Sequence, residues 1–137
     1  MSDQALPTPA PAVSPEAKPF WEGAAEGRLL LQRCADCQTV IWYPRGFCPA
    51  CSSRRIDWFE ASGRGTIYSF TVVRRGAIGP YREHEPYVLA YVELEEGPRM
   101  MSNIVDCDND SLRVGDSVRT VFHPTEEGTA LVRFKPV

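Results

Sequence analysis

Four cysteines carry the clearest chemical signal in the chain. They form two pairs, Cys34-Ala35-Asp36-Cys37 and Cys48-Pro49-Ala50-Cys51, with ten residues between them. Two residues between cysteines let one turn aim both sulfurs at a single ion while backbone N–H groups face those sulfurs. Two such knuckles, joined by a hairpin, supply four thiolates to a tetrahedron. Zn2+ takes this arrangement, with Zn–S near ~2.3 Å. A four-thiolate cage is closed and leaves no position for water or substrate, so its metal is expected to be structural. Iron in the same cage would carry electrons. Carriers of that kind place glycine after each pair, where the knuckle needs φ > 0. Gln38 and Ser52 stand there instead, which argues against electron transfer.

The other reactive residues point away from catalysis. His84 lies among Arg82, Glu83 and Glu85, and His123 precedes Pro124. Neither sits in a general-base motif, and both read as solvated. Cys107 is flanked by Asp106 and Asp108, and nearby carboxylates disfavour the thiolate. Asp106, Asp108 and Asp110 alternate like calcium ligands but lack the Gly and distal Glu of such a loop. There is no nucleophile elbow, phosphate-binding glycine loop or dinucleotide fingerprint. No residue is assigned a catalytic role. Between Arg45 and Arg82, however, seven arginines stand against only Asp57 and Glu60. Arg45, Arg74 and Arg75 are candidates to hold phosphate groups, of a nucleic acid or of a nucleotide-bearing cofactor such as coenzyme A, because a guanidinium fork matches phosphate oxygens.

The elements that must position these residues divide the chain into three. Residues 1–14 are rich in proline and alanine and read as a disordered tail. Residues 15–60 read as a helix followed by a zinc ribbon. Pro19 suits a first helical turn and Gly27 a helix end. Phe20, Trp21, Ala24 and Ala25 fall between them at helical spacing, either as a core anchor or as a partner contact. Residues 28–33 then read as a short strand leading to Cys34. Residues 61–137 are β throughout, with strands expected at 66–73, 87–94, 100–105, 117–122 and 130–134, punctuated by glycine and proline. In the second of these, Val88, Ala90, Val92 and Leu94 share one face and Tyr87, Leu89 and Tyr91 the other. The expected fold is mainly β: a short N-terminal helical segment, a zinc ribbon and a five-stranded barrel of the OB type.

Length and charge bound the function. The 137 residues, 43% hydrophobic, suit one soluble domain or two small ones on a shared core. No apolar run approaches the ~18 residues that span a bilayer. The first residues lack the basic and apolar regions of a secretory signal, so the cytoplasm is the expected compartment. The net charge of −3 argues against a general polyanion binder.

A family resemblance joins these pieces. Pro19-Phe20-Trp21-Glu22-Gly23, Glu26-Gly27-Arg28-Leu29, both cysteine knuckles, Ser62-Gly63-x-Gly65-Thr66-Ile67-Tyr68-Ser69-Phe70, Pro86-Tyr87, Val92-Glu93-Leu94-Glu95-Glu96-Gly97 and Gly115-Asp116-x-Val118 resemble, in order, the zinc-ribbon plus OB-fold family called domain of unknown function 35. The resemblance implies a rubredoxin-like ribbon with structural Zn2+ on Cys34, Cys37, Cys48 and Cys51, and an OB barrel behind it. It also implies a non-catalytic accessory subunit. Such a subunit binds acyl-CoA or completes the active site of a thiolase-superfamily partner (a thiolase, an acyltransferase or a retro-aldolase) in acyl-CoA, lipid or steroid side-chain metabolism. Hot-dog-fold hydratases are further partners the resemblance implies. On this reading Arg45, Arg74 and Arg75 are expected at the acyl-CoA, and Phe20, Trp21, Tyr87 and Tyr91 at the partner. The alternative from the OB-fold alone is a single-stranded nucleic-acid binder. That needs a basic groove with stacking aromatics, which the net charge disfavours and the arginine run favours.

Overall fold

A computed structural model describes residues 6–137. A 3-10 turn at Pro15–Ala17 leads into α1, Lys18–Ala25. Pro19 occupies the first turn, where its missing N–H costs no hydrogen bond. The helix stops because Gly27 turns left-handed at φ 76°. This lets Gly27 N–H donate to Ala24 O and Arg28 N–H to Gly23 O, closing the last carbonyls as a Schellman motif. The strands follow: β1 Leu30–Cys34, β2 Val40–Ile41, β3 Ile56–Glu60, β4 Arg64–Val73, β5 Tyr87–Leu94, β6 Arg99–Ile104, β7 Ser117–Pro124 and β8 Ala130–Pro136.

The first three strands form an antiparallel sheet in the order β2-β1-β3. The other five close into a barrel in the order β4-β5-β6-β8-β7. All barrel pairings are antiparallel except β6 with β8, which meet in parallel at Ile104 and Phe134. This is the five-stranded OB topology, and closure leaves few strand edges to protect. β4 closes the barrel by pairing with β5 along its length and with β7 at its start. Gly65 permits that approach: a Cβ there would lie 2.5 Å from Glu93 O.

Alternation along β5 sorts the side chains as expected. Val88, Ala90, Val92 and Leu94 are all at most 2% exposed and fill the barrel with Ile67, Met100, Ile104, Val118 and Phe134. Each large aliphatic buried this way contributes roughly 1.5–3 kcal/mol. α1 packs against β1, β7 and β8. Its Phe20, 2% exposed, joins Leu29, Leu31 and the barrel residues in a single cluster. Phe20 therefore anchors the helix from inside. Its ring leaves almost no free surface for a partner.

Residues 1–5 of the expected free tail lie outside the described residues. At Leu6 and Pro7 the chain touches the barrel: Arg133 of β8 donates to both carbonyls. A proline-rich stretch has no core of its own to build, but its carbonyls can serve as acceptors for a group elsewhere. Among the described residues no helix is long and apolar enough to cross a membrane.

Candidate metal centre and outer binding face

The two cysteine knuckles are built alike. Cys34 ends β1, its N–H donates to Thr39 O, and Gln38 N–H returns to Cys34 O at 2.9 Å. In the second knuckle Cys48 N–H donates to Ser53 O, and Ser52 N–H returns to Cys48 O at 2.8 Å. The residue after each pair is left-handed, Gln38 at φ 67° and Ser52 at φ 66°. The knuckle geometry is thus kept without glycine, at a cost of roughly 1–2 kcal/mol per residue. Gln38 offsets part of it, since its side chain donates to Ala35 O at 3.2 Å. Ser52→Gly is accordingly expected to stabilise the protein by about 1 kcal/mol. Thermal melts should show a rise of a few degrees, and a fall would contradict the strain.

The four sulfurs converge, all within 4.8 Å of one another. Cys34 and Cys51 stand 3.6 Å apart, Cys37 and Cys48 3.5 Å. A tetrahedron with ~2.3 Å Zn–S bonds has edges of about 3.8 Å, so the donors already lie near cage distances. Disulfides would require about 2.05 Å. Backbone N–H groups of Cys37 and Ala50 face the sulfurs of Cys34 and Cys48. Asp36 ties the knuckles together by accepting from Ser53 Oγ and from Arg55.

The protons report the same crowding. The Thr39 hydroxyl and backbone N–H, helped by Cys48 and Cys51, draw the Cys37 thiol down to about 6 against burial. The Ser53 N–H pulls Cys51 down, but Cys34, burial, Cys37 and Cys48 outweigh it and push the thiol to about 12. Four thiolates at this spacing need a cation among them. The donor set fits a divalent metal, which Cys34, Cys37, Cys48 and Cys51 would hold.

A second feature lies on the outer face of β4, β5 and β6. Tyr91 pairs directly with Met101, and Ser69 pairs with Tyr91 on the other side. A bulge between Ile67 and Ser69 inserts Tyr68 as an extra residue on this face. Tyr68, Tyr91 and Met101 are 47%, 44% and 53% exposed, three of the nine exposed large hydrophobics. Arg99 stacks over the Tyr68 ring at 3.7 Å and is held by Glu93. The result is an aromatic and thioether patch rimmed by charge, the composition of an interface core rather than a solvated face.

Family profiles match almost every part of this arrangement. The rubredoxin-like zinc-ribbon domain of ChsH2 matches residues 21–57, and the C-terminal OB-fold domain of ChsH2 matches residues 58–123. A DUF35 domain-containing scaffold protein of Methanothermobacter thermautotrophicus is 40% identical over 96 residues, 69% of this chain and 71% of that protein. The chain belongs to the DUF35 family. A second DUF35 scaffold protein, from Methanocaldococcus jannaschii, is 34% identical over 80% of this chain and 82% of its own length. The solved structure named "Ltp2-ChsH2(DUF35) aldolase" superposes with a TM-score of 0.82 at 34% identity, covering 93% of this chain and 98% of that one. A probable enoyl-CoA hydratase alpha subunit of Thermomonospora curvata is 36% identical over 93% of this chain, which spans only 40% of that longer protein.

Within this DUF35 chain the other expected site residues are dispersed. Arg45 lies in the ribbon, its Nε donating to Tyr43 O and its backbone pinned at both ends by the buried Gln32 side chain. Arg74 and Arg75 follow β4 at the barrel end. Arg74 is ion-paired with Asp110 at 3.1 Å, and Arg75 is exposed. The three do not form one cluster. Trp21 is half-buried against the core, its indole N–H donating to Tyr43 Oη at 3.2 Å. Tyr87 is half-buried against Tyr81, at 5.4 Å between ring centroids. Only Tyr91 of the four expected partner contacts is openly exposed. The patch neighbours Tyr68 and Met101 went unread because the bulge that aims Tyr68 outward has no local signature.

Cys107 behaves as its neighbours imply. Burial pushes its thiol up, and Asp108 and Asp106 add to the effect. The histidines do not. His84 Nδ1 is buried without a partner among the described residues. His123 is half-buried, with Nδ1 2.9 Å from Arg133 Nη1. Burial, then Arg133, pushes its imidazole below the ordinary 6.5, with Asp106 opposing. The unfolded chain therefore binds this proton more readily than the folded one. The associated stability is complete above pH ~6.5 and is lost as pH falls from there towards the folded value. His123→Gln is expected to flatten the fall in Tm between about pH 7 and 5. An unaltered slope would place the acid sensitivity elsewhere.

Proposed function

We propose that this DUF35 chain is a non-catalytic accessory subunit of an acyl-CoA enzyme, with Zn2+ stabilising its ribbon and its barrel docking on a thiolase-superfamily partner. The observation that carries the reading is the match, end to end, with the DUF35 chain of the Ltp2-ChsH2 aldolase structure. Support also comes from the scaffold names of its relatives and from the exposed Tyr68-Tyr91-Met101 patch, which is suited to contact another protein. In this reading residues 15–60 form the helix and ribbon, residues 61–137 the docking barrel, and Arg75 with Arg74 contacts the phosphates of the acyl-CoA. Four reduced cysteines fit a cytoplasmic setting.

A second partner class has its own observation. Two hydratase alpha subunits, of Thermomonospora curvata and Mycobacterium tuberculosis, contain a region 36% and 33% identical to this chain. A hot-dog-fold hydratase is thus the other partner to test. The experiment is co-expression with the enzymes encoded beside it, followed by purification of the complex and assay of carbon–carbon cleavage and enoyl-CoA hydration. The reading expects turnover by the complex and none by this chain alone. Turnover by the isolated chain, or tight and steeply salt-dependent binding of a single-stranded oligonucleotide in place of any protein, would overturn it.

A further inference from the structure

Arg133 heads the side chains that the fold buries completely, at 1% exposure. It projects from the outer face of β8, while its neighbour Phe134 fills the barrel. Among the described residues it forms no ion pair with a carboxylate. Its partners are neutral acceptors instead. Nη1 meets His123 Nδ1 at 2.9 Å and Leu6 O at 3.5 Å. Nη2 meets Pro7 O at 2.5 Å and Tyr81 Oη at 3.2 Å. Nε is buried with no acceptor among the described residues. Asp106 lies close enough to act on His123 but makes no ion pair with Arg133, and a guanidinium withdrawn from water with no carboxylate in contact is an expensive group to keep.

The arrangement of the acceptors is informative. The two carbonyls come from adjacent residues, and each takes one end of the fork. They face the two ends of the fork that a carboxylate or phosphate would meet in a bidentate pair, Leu6 O only loosely at 3.5 Å. They bring only partial charge, whereas an oxyanion brings a full one. The cover has no ladder of its own: residues 6–14 belong to no helix or strand. His123 and Tyr81, by contrast, are held on β7 and on the 3-10 turn Gly79–His84. The fork thus has a fixed half and a removable half.

We infer that Arg133 is an anion-binding site whose present occupant is the chain's own Leu6–Pro7 segment, and that its exogenous ligand is a carboxylate or phosphate group. The N-terminal segment is a competitive cover, lifted when the anion binds. The site does not depend on the acyl-CoA reading.

The full chain, labelled with 15N, tests this by NMR titration with inorganic phosphate and with acetate, each against sodium chloride at matched ionic strength. Saturable shifts are expected at Arg133 Nε–H and His123, with the amides of Thr8, Ala10 and Ala12 moving together to unstructured positions. Response to one anion alone assigns the ligand chemistry. Pro7→Gly, which loosens the cover, is expected to tighten binding by roughly threefold or more. Arg133→Lys keeps the charge but loses the fork and is expected to weaken binding about tenfold. Arg133→Met should abolish it, with a melt to verify the fold, and Arg133→Lys serves if that variant does not fold. No saturable shift with either anion, shifts that survive in Arg133→Lys at wild-type affinity, or Pro7→Gly binding no tighter than wild type would overturn the inference.

Discussion

Cys48→Ser is expected to release the metal and collapse the ribbon. Cys48 is fully buried, packed with Cys34 and Ile41 in a cluster that has little apolar bulk beyond Ile56. A cluster so small cannot hold a sheet whose β2 is two residues long. A metal held by the four cysteines is expected to supply the difference. Structural Zn2+ is worth on the order of 10–16 kcal/mol in isolated ribbon-sized peptides, because no site exists before the chain folds. Exchanging one thiolate for a hydroxyl forfeits a large part of this and leaves three crowded sulfurs short of compensation. The damage also travels: Leu31 of β1 belongs to the same cluster as the barrel residues. The expected loss is roughly 3 kcal/mol or more, a drop of about 10 °C or more in Tm for a chain of this size. Plasma emission spectroscopy should find one zinc per wild-type chain and less in the variant. Cys107→Ser, outside the cage, should retain full metal. A native protein without zinc, whose Tm is indifferent to a chelator, would falsify the structural role.

The parts that local chemistry encodes were legible in the sequence. Strand β5 coincides with the expected 87–94 because its alternation is strict and its ends are marked. The cysteine cage follows from spacing alone, since two knuckles have one efficient way to share an ion. What escaped depends on contacts remote in sequence. The sequence does not single out Arg133, because nothing between Val132 and Phe134 says that a segment 126 residues away will cover it. Phe20 sits at a spacing equally suited to core or interface, and only the packing of α1 on β1, β7 and β8 decides. The need for a left-handed residue after each pair was legible, but that Gln38 and Ser52 meet it without glycine was not, because their local preference runs the other way.

The outer face of the barrel carries the other large effect. Tyr91→Thr with Met101→Thr is expected to weaken association with the partner enzyme at least a hundredfold. Both side chains are about half exposed and form one cross-strand pair. Buried aromatic anchors at an interface centre cost ~2 kcal/mol or more each when truncated, and two such losses multiply to more than a hundredfold in Kd. Threonine keeps β propensity and adds no charge, so the isolated subunit should keep its Tm within a few degrees. That separation matters, because Trp21→Ala cannot provide it. Trp21 meets the Phe20 ring edge-on at 4.9 Å and bonds Tyr43, so its loss should lower the Tm of the subunit itself. Any fall in complex activity would then follow from folding. Calorimetric titration of the purified partner with wild-type and double-variant chains, beside thermal melts of each, distinguishes the two. If the double variant binds with wild-type affinity, the Tyr68-Tyr91-Met101 face is not where the partner docks, and the ribbon aromatics Tyr43 and Phe47, at 38% and 48% exposure, become the next surface to change.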